Sequence, residues 1–179
     1  MRNTSNITII GLGNILLKDE GVGVHVANAV KERYTLSPEV EIIDGGTMGL
    51  DLLPFFEGRD KILLVDAVDF GREPGHVGML GKGEIPAVLE SKLSMHHISL
   101  SDVLFTASFM GIGPDELCLI GIQPESLDIG LDMTGTVGDK FETLVDMTIN
   151  KLGDWNVECT LNASCDWTVS DSGIPGHHT

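Results

Sequence analysis

The stretch that decides the fold is Ile7-Thr8-Ile9-Ile10-Gly11-Leu12-Gly13-Asn14-Ile15-Leu16-Leu17-Lys18-Asp19-Glu20-Gly21-Val22-Gly23. A β-branched run stops at a Gly-x-Gly-Asn turn, which reads as a buried strand followed by a tight turn. Two adjacent carboxylates, Asp19 and Glu20, then fall where a helix should begin. In an open parallel sheet, ligands bind in the crevice beyond the strand ends. The segment therefore predicts both a fold and an acidic site.

Outward from this stretch, apolar runs alternate with helical periods. Residues 21–34 carry Val22, Val26, Ala29 and Val30 at helical spacing and end in the polar Lys31-Glu32-Arg33. A second strand over 40–43 is closed by Asp44-Gly45-Gly46-Thr47, and residues 50–56 read as helical. The third strand, 61–65, is apolar on both faces, as a central parallel strand covered by helices should be. Residues 75–81 alternate weakly and suggest an edge hairpin. A helix over 99–109, a strand over 116–122 and one long amphipathic helix over 136–152 follow. This order predicts an α/β fold, a three-layer αβα sandwich with a mostly parallel central sheet. Ile9, Ile42, Leu64 and Ile120 should be buried. Residues 1–153 form the expected single domain, and 154–179 read as a polar, flexible C-terminal tail. That tail nevertheless holds both tryptophans, Trp155 and Trp167, and two cysteines, Cys159 and Cys165.

With 179 residues the chain suits one domain with a sizeable core. A formal net charge of −16 argues against nucleic acid or an anionic membrane as partner, since no basic stripe is present. It fits a metal-seeking site, a basic protein partner or plain solubility. The N-terminus reads as no signal peptide, and no run approaches a membrane span, so a cytoplasmic location is expected. Three scattered cysteines make no disulfide framework.

Chemistry concentrates at three positions. Glu20 follows the first strand and its loop. Asp66 immediately follows the central apolar strand, so both carboxylates reach the same sheet edge. One acid there usually caps a helix or faces water; two converging on one crevice suggest a site. The third position lies in Lys92-Leu93-Ser94-Met95-His96-His97, and spacing alone does not choose between the histidines. Two carboxylates and one imidazole make an incomplete ligand set, suited to a borderline divalent ion such as nickel or zinc.

Other candidates are weaker. The Gly11-x-Gly13 turn lacks the third glycine of the dinucleotide fingerprint, although Asp44 keeps a ribose-binding acid conceivable. No Gly-x-Ser-x-Gly elbow or Walker loop occurs. Cys118, inside an apolar strand, reads as an inert buried thiol. His25 and His76 read as surface residues.

Together these residues resemble the nickel–iron hydrogenase maturation proteases. The matching blocks are Gly11-Leu12-Gly13-Asn14-x-Leu16-x-x-Asp19-Glu20-Gly21-x-Gly23, Glu41-Ile42-Ile43-Asp44-Gly45-Gly46-Thr47, Leu64-Val65-Asp66-Ala67-Val68-Asp69-Phe70-Gly71 and Ser94-Met95-His96-His97. Asp102-Val103-Leu104 and Gly121-Ile122-Gln123-Pro124-Glu125-Ser126-Leu127 complete the set. They cover roughly residues 7 to 152. Peptidyl-tRNA hydrolases share the opening Gly-x-Gly-Asn, but Asp19-Glu20-Gly21 stands where their Thr-Arg-His-Asn would fall.

The resemblance implies that Glu20, Asp66 and His96, rather than His97, are metal ligands. For the hydrolysis two readings stand: a metal that polarises the scissile carbonyl while Asp66 or Glu20 acts as base, and a metal that serves recognition alone. It further implies Asp44 and Thr47 as substrate contacts. The implied task is removal of a short C-terminal extension from a nickel-loaded hydrogenase large-subunit precursor. Cleavage would follow a basic residue just beyond the substrate's last metal-binding cysteine motif. Nickel is then supplied by the substrate, with no organic cofactor, and the protein alone is expected to be monomeric. No serine or cysteine stands as a nucleophile, so attack by water is expected. The alternative reading is a nickel-sensing chaperone on the same fold that cuts nothing.

Overall fold

The structure is a computed structural model that describes residues 6–89 and 100–163. Strand β1 (Ile7–Leu12) leads through a 3₁₀ turn (Lys18–Gly21) into α1 (Val22–Arg33). Strands β2 (Tyr34–Ser37) and β3 (Glu41–Gly46), a 3₁₀ helix (Gly49–Phe55) and β4 (Lys61–Ala67) follow. Then come β5 (Val77–Gly81), α2 (Ile85–Leu89), α3 (Leu100–Phe109), β6 (Glu116–Ile122), α4 (Gly135–Gly138), α5 (Phe141–Asp154) and β7 (Glu158–Leu161).

The main sheet has the order β3-β1-β4-β6-β5. Its first four strands are parallel, and β5 runs antiparallel to β6. Strand β4 explains why the sheet needs two covering layers. Ile62 and Leu64 pack with Leu52, Phe56, Ile85 and Val103, on the side of the longer 3₁₀ helix, α2 and α3. Leu63 and Val65 pack with Val22, Val26, Val30 and Leu144, on the side of α1 and α5. All four β4 residues are fully buried, each contributing about 1.5–3 kcal/mol of hydrophobic stabilisation. The α/β sandwich read from the sequence is the fold observed.

Local departures have physical causes. Ile9, Leu64 and Ile120 are fully buried, but Ile42 is only half-buried, because β3 lies at the sheet edge. The segment read as an edge hairpin is instead the single strand β5, with α2 and α3 between it and its partner β6. The long helix expected over 136–152 divides into α4 and α5. Gly135 and Gly138 weaken the first turn, and Thr134 caps it by accepting the Val137 N–H at 3.4 Å.

The domain boundary drawn after Gly153 falls too early. Trp155 and Val157 are buried in the core of the α1–α5 layer. Glu158–Leu161 then pairs antiparallel with β2, with Leu36 opposite Cys159. The ribbon escaped a reading by composition because most of its residues face water and Cys159 is the half-buried one. Residues 164–179, with Cys165 and Trp167, lie outside the described residues. Among the described residues no helix is long and apolar enough to cross a membrane.

Candidate active site

The chain leaves β1 toward β3 on one side and returns as β4 on the other. This reversal opens a crevice between the carboxyl ends of β1 and β4, the position where open α/β sheets take ligands. Glu20 lies in the 3₁₀ turn that enters the crevice from β1. Asp66 lies near the end of β4, opposite Gly121 of β6. Both are half-buried, and the turn carrying Glu20 packs against β4.

Two glycines force this proximity. Gly13 has φ of 114°, and a Cβ there would lie 1.7 Å from the Glu20 carbonyl oxygen. The turn can close onto Glu20 only because no side chain intervenes. Gly23, in the first turn of α1, would place a Cβ 2.0 Å from the Val65 carbonyl oxygen. Helix α1 thus begins directly against the residue that precedes Asp66. Asp66 shares the strand face of Ile62 and Leu64, which is the face of the α2–α3 layer. His96 lies outside the described residues; α2 and α3, the elements flanking it, both belong to that layer.

Asp19 behaves quite differently from its neighbour Glu20. It is completely buried, and no cation pairs with it among the described residues. The N–H groups of Glu125 and Ser126 donate to its Oδ2 at 2.9 and 3.0 Å. The Thr134 N–H donates to Oδ1 at 2.7 Å, and the Thr134 hydroxyl reaches both oxygens at 3.0 and 2.9 Å. Burial alone would raise the Asp19 carboxyl, but these hydrogen bonds from Ser126, Thr134 and Glu125 outweigh it and hold it below its ordinary value. A buried carboxylate saturated by backbone donors is an anchor, here between the Glu20 turn and the 123–134 loop.

The same junction is stitched by backbone. Lys18 N–H donates to the Gly130 carbonyl at 2.8 Å, and Gly130 N–H to the Leu16 carbonyl at 2.9 Å. Lys18 sits at φ of 42°, a left-handed conformation that a non-glycine residue keeps only when its surroundings enforce it. On the other side of the crevice Gln123 organises the chain leaving β4. Its Oε1 accepts from Phe70 N–H at 2.7 Å and Arg72 N–H at 3.3 Å, and its Nε2 donates to Asp69 at 3.2 Å. Asp19 and Gln123 both went unread in the sequence. The usable signal was their place in the matching blocks, since their partners lie far along the chain.

Asp44 and Thr47 are exposed at the end of β3, where Asp44 is in register with Gly11. Gly13 N–H donates to the Gly46 carbonyl at 3.0 Å, tying this loop to the same crevice. Among the described residues, no three His, Cys, Asp or Glu side chains gather closely enough to hold a metal ion. Glu20 and Asp66 form at most a pair there, and the third expected ligand lies outside the described chain. A cavity of about 420 Å³ opens at the opposite end of the sheet, lined by Lys82, Glu84, Glu116, Cys118, Lys151 and Trp155. Cys118 is buried there, and burial raises its thiol, as an inert side chain requires. His76 is exposed and His25 half-buried.

The hydrogenase maturation protease family model matches residues 24–151. The chain is 39% identical to the hydrogenase 2 maturation protease of Escherichia coli over 153 residues, covering 85% of this chain and 93% of that one. It is 36% identical to the hydrogenase expression/formation protein HupD of Rhodobacter capsulatus over 170 residues, covering 94% and 81%. Among solved structures, the hydrogenase maturating endopeptidase HybD from E. coli superposes with a TM-score of 0.81 at 38% identity, covering 87% of this chain and 97% of that one. With the crevice, the two acids and the anchoring loops in place, the chain belongs to the hydrogenase maturation proteases and is a hydrolase of the endopeptidase class.

Proposed function

We propose that this endopeptidase removes the C-terminal extension of a nickel–iron hydrogenase large-subunit precursor after nickel has been inserted. The observation that carries the reading is the delivery of Glu20 and Asp66, from two separate elements, to the crevice between β1 and β4. Nickel enters as part of the substrate. Glu20, Asp66 and His96 are its proposed contacts on this chain, and their donor chemistry, two carboxylates and an imidazole without thiolate, suits a borderline ion that the precursor also holds. Asp44 and Thr47, exposed at the adjoining loop, are the proposed contacts to the precursor's peptide.

In this reading a water molecule adds to the scissile carbonyl carbon. A carboxylate of the Glu20/Asp66 pair takes its proton and passes it to the leaving amine as the C–N bond breaks. No covalent enzyme intermediate forms. Specificity for the finished precursor arises because the acidic crevice binds poorly where no cation balances it.

The test uses the purified protein with nickel-loaded and nickel-free precursor, read by intact mass. Loss of the C-terminal peptide from the loaded form alone is the expected result. Equal processing of nickel-free precursor would overturn the nickel requirement, and an uncut loaded precursor would overturn the reading itself.

A further inference from the structure

The 123–134 loop has an unusual composition for a segment so firmly held. Leu127, Ile129 and Leu131 are 52%, 88% and 67% exposed. Glu125, Asp128 and Asp132 alternate with them and are exposed too. The loop is nevertheless locked at both ends, through Ser126 and Thr134 on Asp19 and through Gly130 on Leu16 and Lys18. Its neighbour across the Leu17–Gly130 bridge adds two more exposed aliphatic residues, Ile15 and Leu16. A loop that only connected β6 to α4 would gain nothing by holding aliphatic side chains in water. A rigid surface of this kind loses little conformational freedom when a partner covers it.

Its charge says what kind of partner fits. Lys18 is the cation of this surface, and at 3.9 Å it already stands beside Asp128. Glu125 and Asp132 have no cationic partner among the described residues, in a chain of net charge −16. Aliphatic and acidic groups that alternate on one ridge complement an aliphatic segment that carries basic side chains. The ridge also leads into the crevice, because Leu16 and Leu17 immediately precede the 3₁₀ turn that carries Glu20.

We propose that the ridge formed by Ile15, Leu16, Leu127, Ile129 and Leu131 is the docking surface for a basic, aliphatic segment of the precursor polypeptide. The proposal rests on the functional reading above and deepens it. Docking is assigned to the polypeptide and not to nickel, so the nickel-free precursor, which that reading leaves uncut, is the proper probe.

The experiment compares the wild-type protein with the variant Leu127→Ser/Ile129→Ser/Leu131→Ser, whose altered side chains lie outside the core. Binding of nickel-free precursor is titrated by fluorescence anisotropy, and thermal unfolding checks that the variant is folded. A control, Phe105→Ser/Phe109→Ser, removes exposed aromatics from α3. The ridge variant should bind about tenfold or more weakly, while the control binds as wild type does. With loaded precursor, the same loss should appear in KM with kcat preserved. Asp128→Asn/Asp132→Asn should weaken binding at low salt and flatten its salt dependence. Unchanged affinity in the folded ridge variant would overturn the proposal. So would sedimentation of the wild type as a dimer that the ridge variant dissociates while precursor binding stays intact. If the wild type binds through the ridge but leaves loaded precursor whole, the docking surface stands and the functional reading falls.

Discussion

The two ends of the central sheet handle charge in opposite ways. At the amino-terminal ends of β4 and β6, Lys61 and Glu116 are register partners and pair at 2.9 Å. The Trp155 indole N–H donates to Glu116 at 2.8 Å, and Lys61 and Lys151 lie 5.6 and 5.2 Å from the indole ring centre. Arg59 pairs with Glu41 nearby. At the carboxyl-terminal ends the buried acid, Asp19, is satisfied by backbone N–H groups. No described lysine or arginine forms an ion pair with Glu20 or Asp44. Counter-ions close one end; oriented backbone dipoles hold Asp19 at the other. The lysine of the crevice turn, Lys18, stands beside Asp128 at 3.9 Å.

The largest effect should come from the crevice acids. Glu20→Gln and Asp66→Asn keep side-chain shape and remove charge, so each should lower cleavage of loaded precursor by about 10²–10³-fold. The Glu20 side chain is only half-buried, so the stability of Glu20→Gln should move by less than about 1 kcal/mol. Denaturant curves beside a cleavage assay check both halves. An active but destabilised variant would erase the contrast between the two ends.

Asp19 sharpens the contrast, because it stands at the crevice end yet does structural work. Asp19→Ala leaves the N–H groups of Ser126, Thr134 and Glu125 without their acceptor and should cost about 3–4 kcal/mol. The pH dependence carries a sign. Hydrogen bonds hold the folded Asp19 carboxyl below its ordinary value despite burial. Its contribution is therefore complete above the unfolded carboxyl pKa of about 3.9 and is lost as pH falls through the lower folded value. Asp19→Asn should accordingly be less stable than wild type at neutral pH, with the gap narrowing in strong acid. A gap that stayed constant across that range would remove Asp19 from its role as an ionised anchor.

How much of this was legible follows the same division. Ile62-Leu63-Leu64-Val65 announced a central strand because both its faces are apolar, and the Gly-x-Gly turns announced the switch point. Asp66 followed, since it stands at the carboxyl end of that strand, although β4 runs further than read and includes it. Glu20 was singled out, but the separate role of its neighbour Asp19 did not follow. Adjacent acids look alike in sequence, and the donors that bury Asp19 lie more than a hundred residues away. Strand β7 was hidden for a related reason. It pairs with β2 across the whole length of the domain, and a four-residue ribbon has too short a period to register. The burial of Trp155 is a tertiary fact, fixed by Glu116 and the lysines beside it.

The smallest effect should come from the neutralised end. Glu116→Gln removes one charge from the Lys61 pair, but half of that carboxylate side chain already faces water, where exposed ion pairs contribute little. The glutamine carbonyl can still accept the Trp155 indole N–H, and Lys61 and Lys151 keep their places over the ring. Unfolding curves of the variant should overlay those of the wild type within replicate scatter. Cleavage should be unaffected as well, because Glu116 is opposite Lys61 at the far end of β4 from Asp66. A measurable loss of cleavage with intact stability would mean that the two ends communicate, and that the counter-ion cluster reaches the crevice through β4 and β6.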